Sequence, residues 1–117
     1  MKIIPLSEGS FTIDKSKVFV PFNDKEDDLK MRSSGSLLVE VQPFAIVTNN
    51  DVLLVDAGLG FNKNGALQIH SNLKANGIEP ASVTKVLMSH LHKDHAGGVS
   101  FKNSAANYFC VCNASAI

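Results

Sequence analysis

This 117-residue chain has no net charge, because 11 lysines and arginines offset 11 aspartates and glutamates. Bulk electrostatics therefore draws it neither to nucleic acid nor to an anionic membrane. It also lacks an apolar run of membrane-spanning length. Its first residues, MKIIPLSEGSF, offer one lysine and a few apolar side chains before Pro5, Ser7, Glu8 and Gly9, too short a stretch for a secretory core. With no export signal, the expected compartment is the cytoplasm. Cysteine is scarce: Cys110 and Cys112 are the only two. Spaced i, i+2 in a strand-like stretch, their Cα atoms would stand roughly 6.5–7 Å apart, near the limit for a bridge. They read as two reduced thiols.

What is present is an ordinary globular composition, 44% hydrophobic and 19% charged, in a length that fits one small domain over residues 1–117. Short runs at 2–6, 10–13 and 17–22, rich in Ile, Val, Phe or Thr, read as strands with an antiparallel start. Residues 23–36 are nearly all polar and mark a solvated loop, which could also overhang a pocket. Two apolar runs, 37–48 and 52–55, flank Asn49, Asn50 and Asp51 and predict a hairpin. Pro43 cannot donate to a ladder, so the first arm should bend there or lie at an edge.

After Gly58 and Gly60 the periodicity changes. Residues 66–76 place Ala66, Ile69 and Leu73 on one helical face, with Asn64 as cap and Gly77 as stop. His70 falls in this helix and reads as a surface or boundary histidine. Pro80 and Ser82 punctuate a turn before the apolar run 86–88. Strand 52–55, helix and strand 86–88 make a β-α-β unit, with parallel strands buried on both faces. Ligands of such sheets gather beyond the carboxyl ends of the strands. Asp56 follows the first strand, and His90 follows the second almost at once.

The second strand runs into SHLHKDHAGG at 89–98, which places three of the four histidines and an aspartate within six positions. Crowded imidazoles repel one another once protonated, so such a cluster suits a bound cation. A histidine-rich turn can otherwise be a surface feature or a hydrogen-bonded network. A helix over 90–95 would spread the four side chains around its axis. An extended segment would instead send His90, His92 and Asp94 to one side. A turn into helix near Asp94 would free His95 for a second, adjacent ion, with Gly97 and Gly98 letting backbone pass close by.

His90-Leu91-His92-Lys93-Asp94-His95-Ala96-Gly97-Gly98 resembles the His-x-His-x-Asp-His signature of the metallo-β-lactamase fold hydrolases. Val55-Asp56-Ala57-Gly58 resembles that superfamily's strand-end Asp-x-Gly, and the flavour of the histidine motif is most similar to the lactonase-like branch. The resemblance implies an α/β (α+β) architecture: an αββα sandwich, here its N-terminal half, with a mixed sheet and the βαβ unit. It implies that His90 and His92 bind one metal and Asp94 and His95 another, with Asp56 bracing the ligand loop from outside. Zinc is the implied ion, two per complete site, with iron or manganese able to occupy similar sites.

The implied chemistry is hydrolysis by a metal-activated water of an ester, lactone, thioester or related bond in a small molecule, with Asp94 also holding or relaying a proton. The family pattern continues with further histidines and a bridging aspartate, whereas after His95 this sequence has no histidine, aspartate or glutamate. The expectation is therefore a hydrolase, or its N-terminal part, whose activity depends on residues outside this chain. The other expectation is a non-catalytic metal-binding or assembly module that completes its sheet by forming a homo-oligomer.

Overall fold

A computed structural model describes residues 1–100 and 111–113, with side chains described through Gly98. Two segments contribute strands to both of its main sheets. The first carries β1 (Lys2–Pro5) and β2 (Gly9–Ile13); the second carries β4 (Leu37–Val41) and β5 (Phe44–Val47); β3 (Val20–Phe22) lies between them. The two segments run antiparallel throughout, β1 against β5 and β2 against β4. Between the two ladders the chains are tied by Leu6 N–H to Pro43 O and Glu8 N–H to Val41 O, both 2.8 Å. The register moves by one residue there: Pro5 faces Phe44, but Gly9 faces Val41. Pro43, fully buried and without an N–H, sits at this bend and lends only its carbonyl.

Because of the bend, one pair of segments feeds two sheets. The smaller is antiparallel, with order β3-β2-β4. The larger has order β1-β5-β6-β9-β10, where β6 is Val52–Val55, β9 Lys85–Met88 and β10 Val111–Asn113. It is mixed: β5 and β6 form the expected hairpin, closed by the Thr48 N–H to Asp51 O bond, while β6 and β9 are parallel neighbours, as are β9 and β10. The strands β5, β6 and β9 occupy the sheet centre, but only one face is buried, that of Ala45, Leu54, Val86 and Met88. On the other face Ile46, Leu53, Val55 and Leu87 are half-buried, so the expectation of strands buried on both faces is not met.

The crossover helix α1 (Gln68–Ala75) buries Ile69 and Leu73 completely against a core that includes Ile4, Leu6, Ala45, Leu54, Val86 and Met88. Each such aliphatic side chain contributes roughly 1.5–3 kcal/mol by leaving water. Gly77, at φ 75, stops the helix as expected, its N–H bonded to Lys74 O.

The start of this helix differs from the expectation. Asn64 is no cap: with φ 54 beside Gly65 at φ 82, it makes the two-residue turn of a tiny hairpin, β7 (Asn62–Lys63) to β8 (Ala66–Leu67). Both turn residues need positive φ, which Asn-Gly supplies at least cost. Leu67 stands at the cap position without a side-chain bond, and Leu67 rather than Ala66 is buried.

Of the loop expected at 23–36, residues 23–35 are exposed but Ser36 is buried, and the loop contains one short 3₁₀ turn, Leu29–Met31, capped by Asp28. The strand expected at 17–22 shortens to β3. Among the described residues no helix is long and apolar enough to cross a membrane. Cys110 and the side chain of Cys112 lie outside the described portion, so the reading of their thiols does too.

Candidate metal centre

The parallel strands β6 and β9 end side by side, and Asp56 and Ser89 are the first residues past their ends. Asp56 takes a left-handed backbone, φ 59, a conformation aspartate tolerates better than most side chains. That turn carries its carboxylate across to the other strand end. Oδ1 accepts the Ser89 N–H and Oδ2 accepts the Ser89 hydroxyl, each at 2.8 Å. Oδ2 also lies 2.8 Å from His95 Nδ1. Burial works to raise the Asp56 pKa, yet the Ser89 N–H, His95 and the Ser89 hydroxyl together outweigh it and hold the carboxyl below its usual range.

Past Ser89 the chain stays non-helical through His92, and α2 (Lys93–Ser100) then begins. Asp94 therefore lies in the first helical turn, where a carboxylate is favoured by the helix dipole. Its place on the helix replaces the extended alternation that would have sent it the same way as His90 and His92. The helix start is moored by main-chain bonds: Ala57 N–H to His95 O at 2.6 Å and Gly97 N–H to Gly58 O at 2.9 Å. The approach is close enough that a Cβ on Gly97 would strike the Leu59 carbonyl, and one on Gly98 the Ala57 carbonyl. Gly97 and Gly98 admit this backbone because they carry no side chain.

The three imidazoles are brought together. The His90 and His95 ring centroids are 3.9 Å apart, and those of His90 and His92 4.6 Å. His90 Nδ1 lies 3.0 Å from Ser89 Oγ, and His95 Nε2 lies 3.2 Å from Asp94 Oδ2. A nitrogen lone pair and a carboxylate oxygen repel at that distance unless a proton or a cation lies between them. Two ligands of one tetrahedral zinc stand about 3.3 Å apart, so the Asp94–His95 pair matches such an ion in donor type and in spacing.

The wider set matches in donor type only. Among the described residues no group of three or more His, Cys, Asp or Glu side chains is arranged to hold an ion. The rings of His90 and His92 lean edge to face instead, and would have to turn about their side-chain torsions to join a shared ion. His70 stands apart from the cluster, half-buried on α1, with Nε2 buried and unpartnered; desolvation and the nearby Lys74 push its pKa down.

His92, Lys93 and Asp94 line one end of a cleft of about 530 Å³, whose other walls include Ile13, Lys15, Phe19 and Leu37. A larger hollow of about 690 Å³, lined by Glu8, Phe11 and Phe61 among others, contains none of the histidines. Of the two, the smaller is the one that the histidine-bearing loop lines.

Two residues here had no signal in the sequence. Ser89 stood only as the first letter of SHLHKDHAGG with no role of its own, yet its hydroxyl contacts both Asp56 and His90. Glu8 read as a polar turn residue, yet it is 8% exposed, and its carboxylate presses on Gly58 with Oε1 accepting the Leu59 N–H at 2.7 Å. Burial lifts its pKa to about 7, against the lowering effect of that hydrogen bond. Glu8 thereby supports, from the opposite side, the loop that moors α2.

A family model described as the metallo-beta-lactamase superfamily matches residues 38–101, more than half of the chain. Among solved structures, the dizinc quorum-quenching lactonase AidC, in complex with a product, superposes with a TM-score of 0.64 at 20% identity; the match covers 93% of this chain and 40% of AidC. The hydrolase AbOPH of the beta lactamase superfamily gives 0.63 at 25% identity, with the same two coverages. A probable metal-dependent hydrolase from Staphylococcus aureus gives 0.58 at 23% identity, covering 84% of this chain and 40% of its own. This chain thus spans about two fifths of the length of each of these structures. A search of the curated proteins found no match.

Proposed function

Because the chain belongs to the metallo-beta-lactamase superfamily, we propose that it serves as a metal-dependent hydrolase that cleaves an ester, lactone, thioester or related bond in a small molecule. The observation that carries this reading is the packing of His90, His92 and His95 at the carboxyl ends of β6 and β9, with Asp94 Oδ2 3.2 Å from His95 Nε2. In this reading His90 and His92 hold one ion and Asp94 and His95 the other, zinc by preference, with iron or manganese as substitutes. Such an ion would supply an acidified water and a positive charge beside the substrate oxygen.

The chain's own residues do the rest. Ile13, Phe19 and Leu37 give the cleft an apolar wall for the carbon skeleton of a substrate. Asp94 takes up the proton that the attacking water gives up and returns it to the leaving oxygen, or to the leaving sulfur of a thioester. Asp56 keeps the loop from 89 to 95 at the strand ends.

Elemental analysis of the purified chain after zinc loading and dialysis, beside turnover of a lactone, an aryl ester and a thioester, tests the reading. Retained zinc and hydrolysis that His92→Ala abolishes support it. No retained metal, together with turnover unchanged by His92→Ala, overturns it.

One observation favours a second reading, a metal-binding assembly module. Val20, Leu37, Leu38 and Met31 are 41–81% exposed on or beside the three-stranded sheet, more apolar surface than a solvated face requires. Retained zinc without turnover, in a particle larger than one chain, selects that reading.

A further inference from the structure

The hydrogen bonds around Ser89 fix more than the position of a loop. A hydroxyl has one proton to donate, and an ionised carboxylate can only accept. Ser89 Oγ lies 2.8 Å from Asp56 Oδ2, so its proton points there. The remaining contact of that hydroxyl, His90 Nδ1 at 3.0 Å, must then be the donor. His90 carries its proton on Nδ1. The same oxygen, Asp56 Oδ2, lies 2.8 Å from His95 Nδ1, so that nitrogen is protonated as well, whatever Nε2 carries. The direct contact between Ser89 Oγ and His95 Nδ1 is 3.5 Å, too long to compete.

We propose that Ser89 is a positioning residue: relaying the Asp56 carboxylate to His90, it holds that ring as the Nδ1–H tautomer, while Asp56 directly holds a proton on Nδ1 of His95. One carboxylate oxygen thereby sets two rings, and each presents Nε2 away from the strand ends. Asp94 Oδ2 already lies against one of these, His95 Nε2, at 3.2 Å. The tautomers follow from the hydrogen bonds alone. Their consequence, that Nε2 of both rings is preset as a donor, rests on the reading of this site as a metal centre. The arrangement accounts for a serine at position 89, where its neighbours in β9 are apolar.

The tautomers are read without any metal, by nitrogen-15 NMR of the histidine rings of the metal-free chain at pH 8. His90 is expected as Nδ1–H, and His95 with a proton on Nδ1. In Ser89→Ala, His90 is expected to move to the Nε2–H form while His95 stays; Ser89→Thr, which retains the hydroxyl, restores His90. Zinc affinity, measured by competition with a chromophoric chelator, is expected to fall about 10–100-fold in Ser89→Ala and to recover in Ser89→Thr.

A wild-type His90 protonated on Nε2, or one unmoved by Ser89→Ala, overturns the proposal. Should Ser89→Ala fail to give a folded spectrum, wild type and Ser89→Thr decide by themselves, since both must show His90 as Nδ1–H. The expected tautomer changes in a chain whose wild type retains no zinc would uphold the relay and reject the metal-centre reading, so the two fail separately.

Discussion

Glu8 and Gly58 meet face to side chain: the Glu8 carboxylate occupies the space that a Cβ on Gly58 would fill, while its Oε1 accepts the next N–H, that of Leu59. The contact joins the first sheet bend to the loop that carries Asp56, and its strength changes with pH.

The Glu8 carboxyl is pushed up to about 7 in the folded chain, from about 4.5 in an unfolded one. Between these values the folded state holds the extra proton, so stability is greatest at the acid end and falls as pH rises through 7. Chemical denaturation at pH 5 and pH 8 should show this group costing on the order of 2–3 kcal/mol. Glu8→Gln should flatten the profile by that amount while still offering an oxygen to Leu59. A profile left unchanged by the substitution would contradict the assignment.

His70 has the opposite sign. Desolvation and Lys74 lower its pKa below 6.5, so the unfolded chain binds the proton more readily and stability falls as pH drops through that value. His70→Leu should remove this acid loss, visible as a smaller drop in melting temperature between pH 7 and pH 5. Zinc content should stay as in the parent chain; a loss of metal would make His70 a ligand after all.

Replacing Asp56 by asparagine leaves one acceptor oxygen for three donors: the Ser89 N–H, the Ser89 hydroxyl and His95 Nδ1–H. Asp56→Asn should destabilise the chain by roughly 1–3 kcal/mol and weaken zinc binding about 10–100-fold. Urea midpoints and chelator competition measure the two effects. Tight zinc binding in this variant would remove Asp56 from the site.

Gly97→Ala should cost roughly 3 kcal/mol or more, because the new methyl group meets the Leu59 carbonyl, which cannot retreat without straining the bond between Gly97 N–H and Gly58 O. Gly77→Ala is the comparison: its φ of 75 is unfavourable, but nothing lies within 4 Å of the added carbon, so about 1–2 kcal/mol is expected. Equal melting temperatures for the two variants would refute the close-approach argument.

The sequence was most readable where periodicity and burial agree. Continuous apolar runs at 52–55 and 86–88 marked central parallel strands, and Pro43 marked the bend between β4 and β5. The Asn64-Gly65 turn was also readable, but a helical pattern beginning at Ala66 drew Asn64 into a capping role; the strained turn took precedence because both residues need positive φ. Asp94 was less accessible, since alternation and helix start place it on different sides and only the helix boundary decides between them. Glu8 and Ser89 could not be found at all. Each acts through a partner 33 or 51 residues away, and a lone polar residue beside a strand gives no sign of such a partner.

The start of α2 is tied down by main-chain amide and carbonyl groups of residues 57, 58, 95 and 97, bonds that do not depend on the side chains at 90, 92 and 94. The chemistry borne by positions 90, 92 and 94 can therefore change without rebuilding the platform beneath it. A chain of this design can lose, swap or regain its reactive groups one at a time and still fold around the same corner of the sheet.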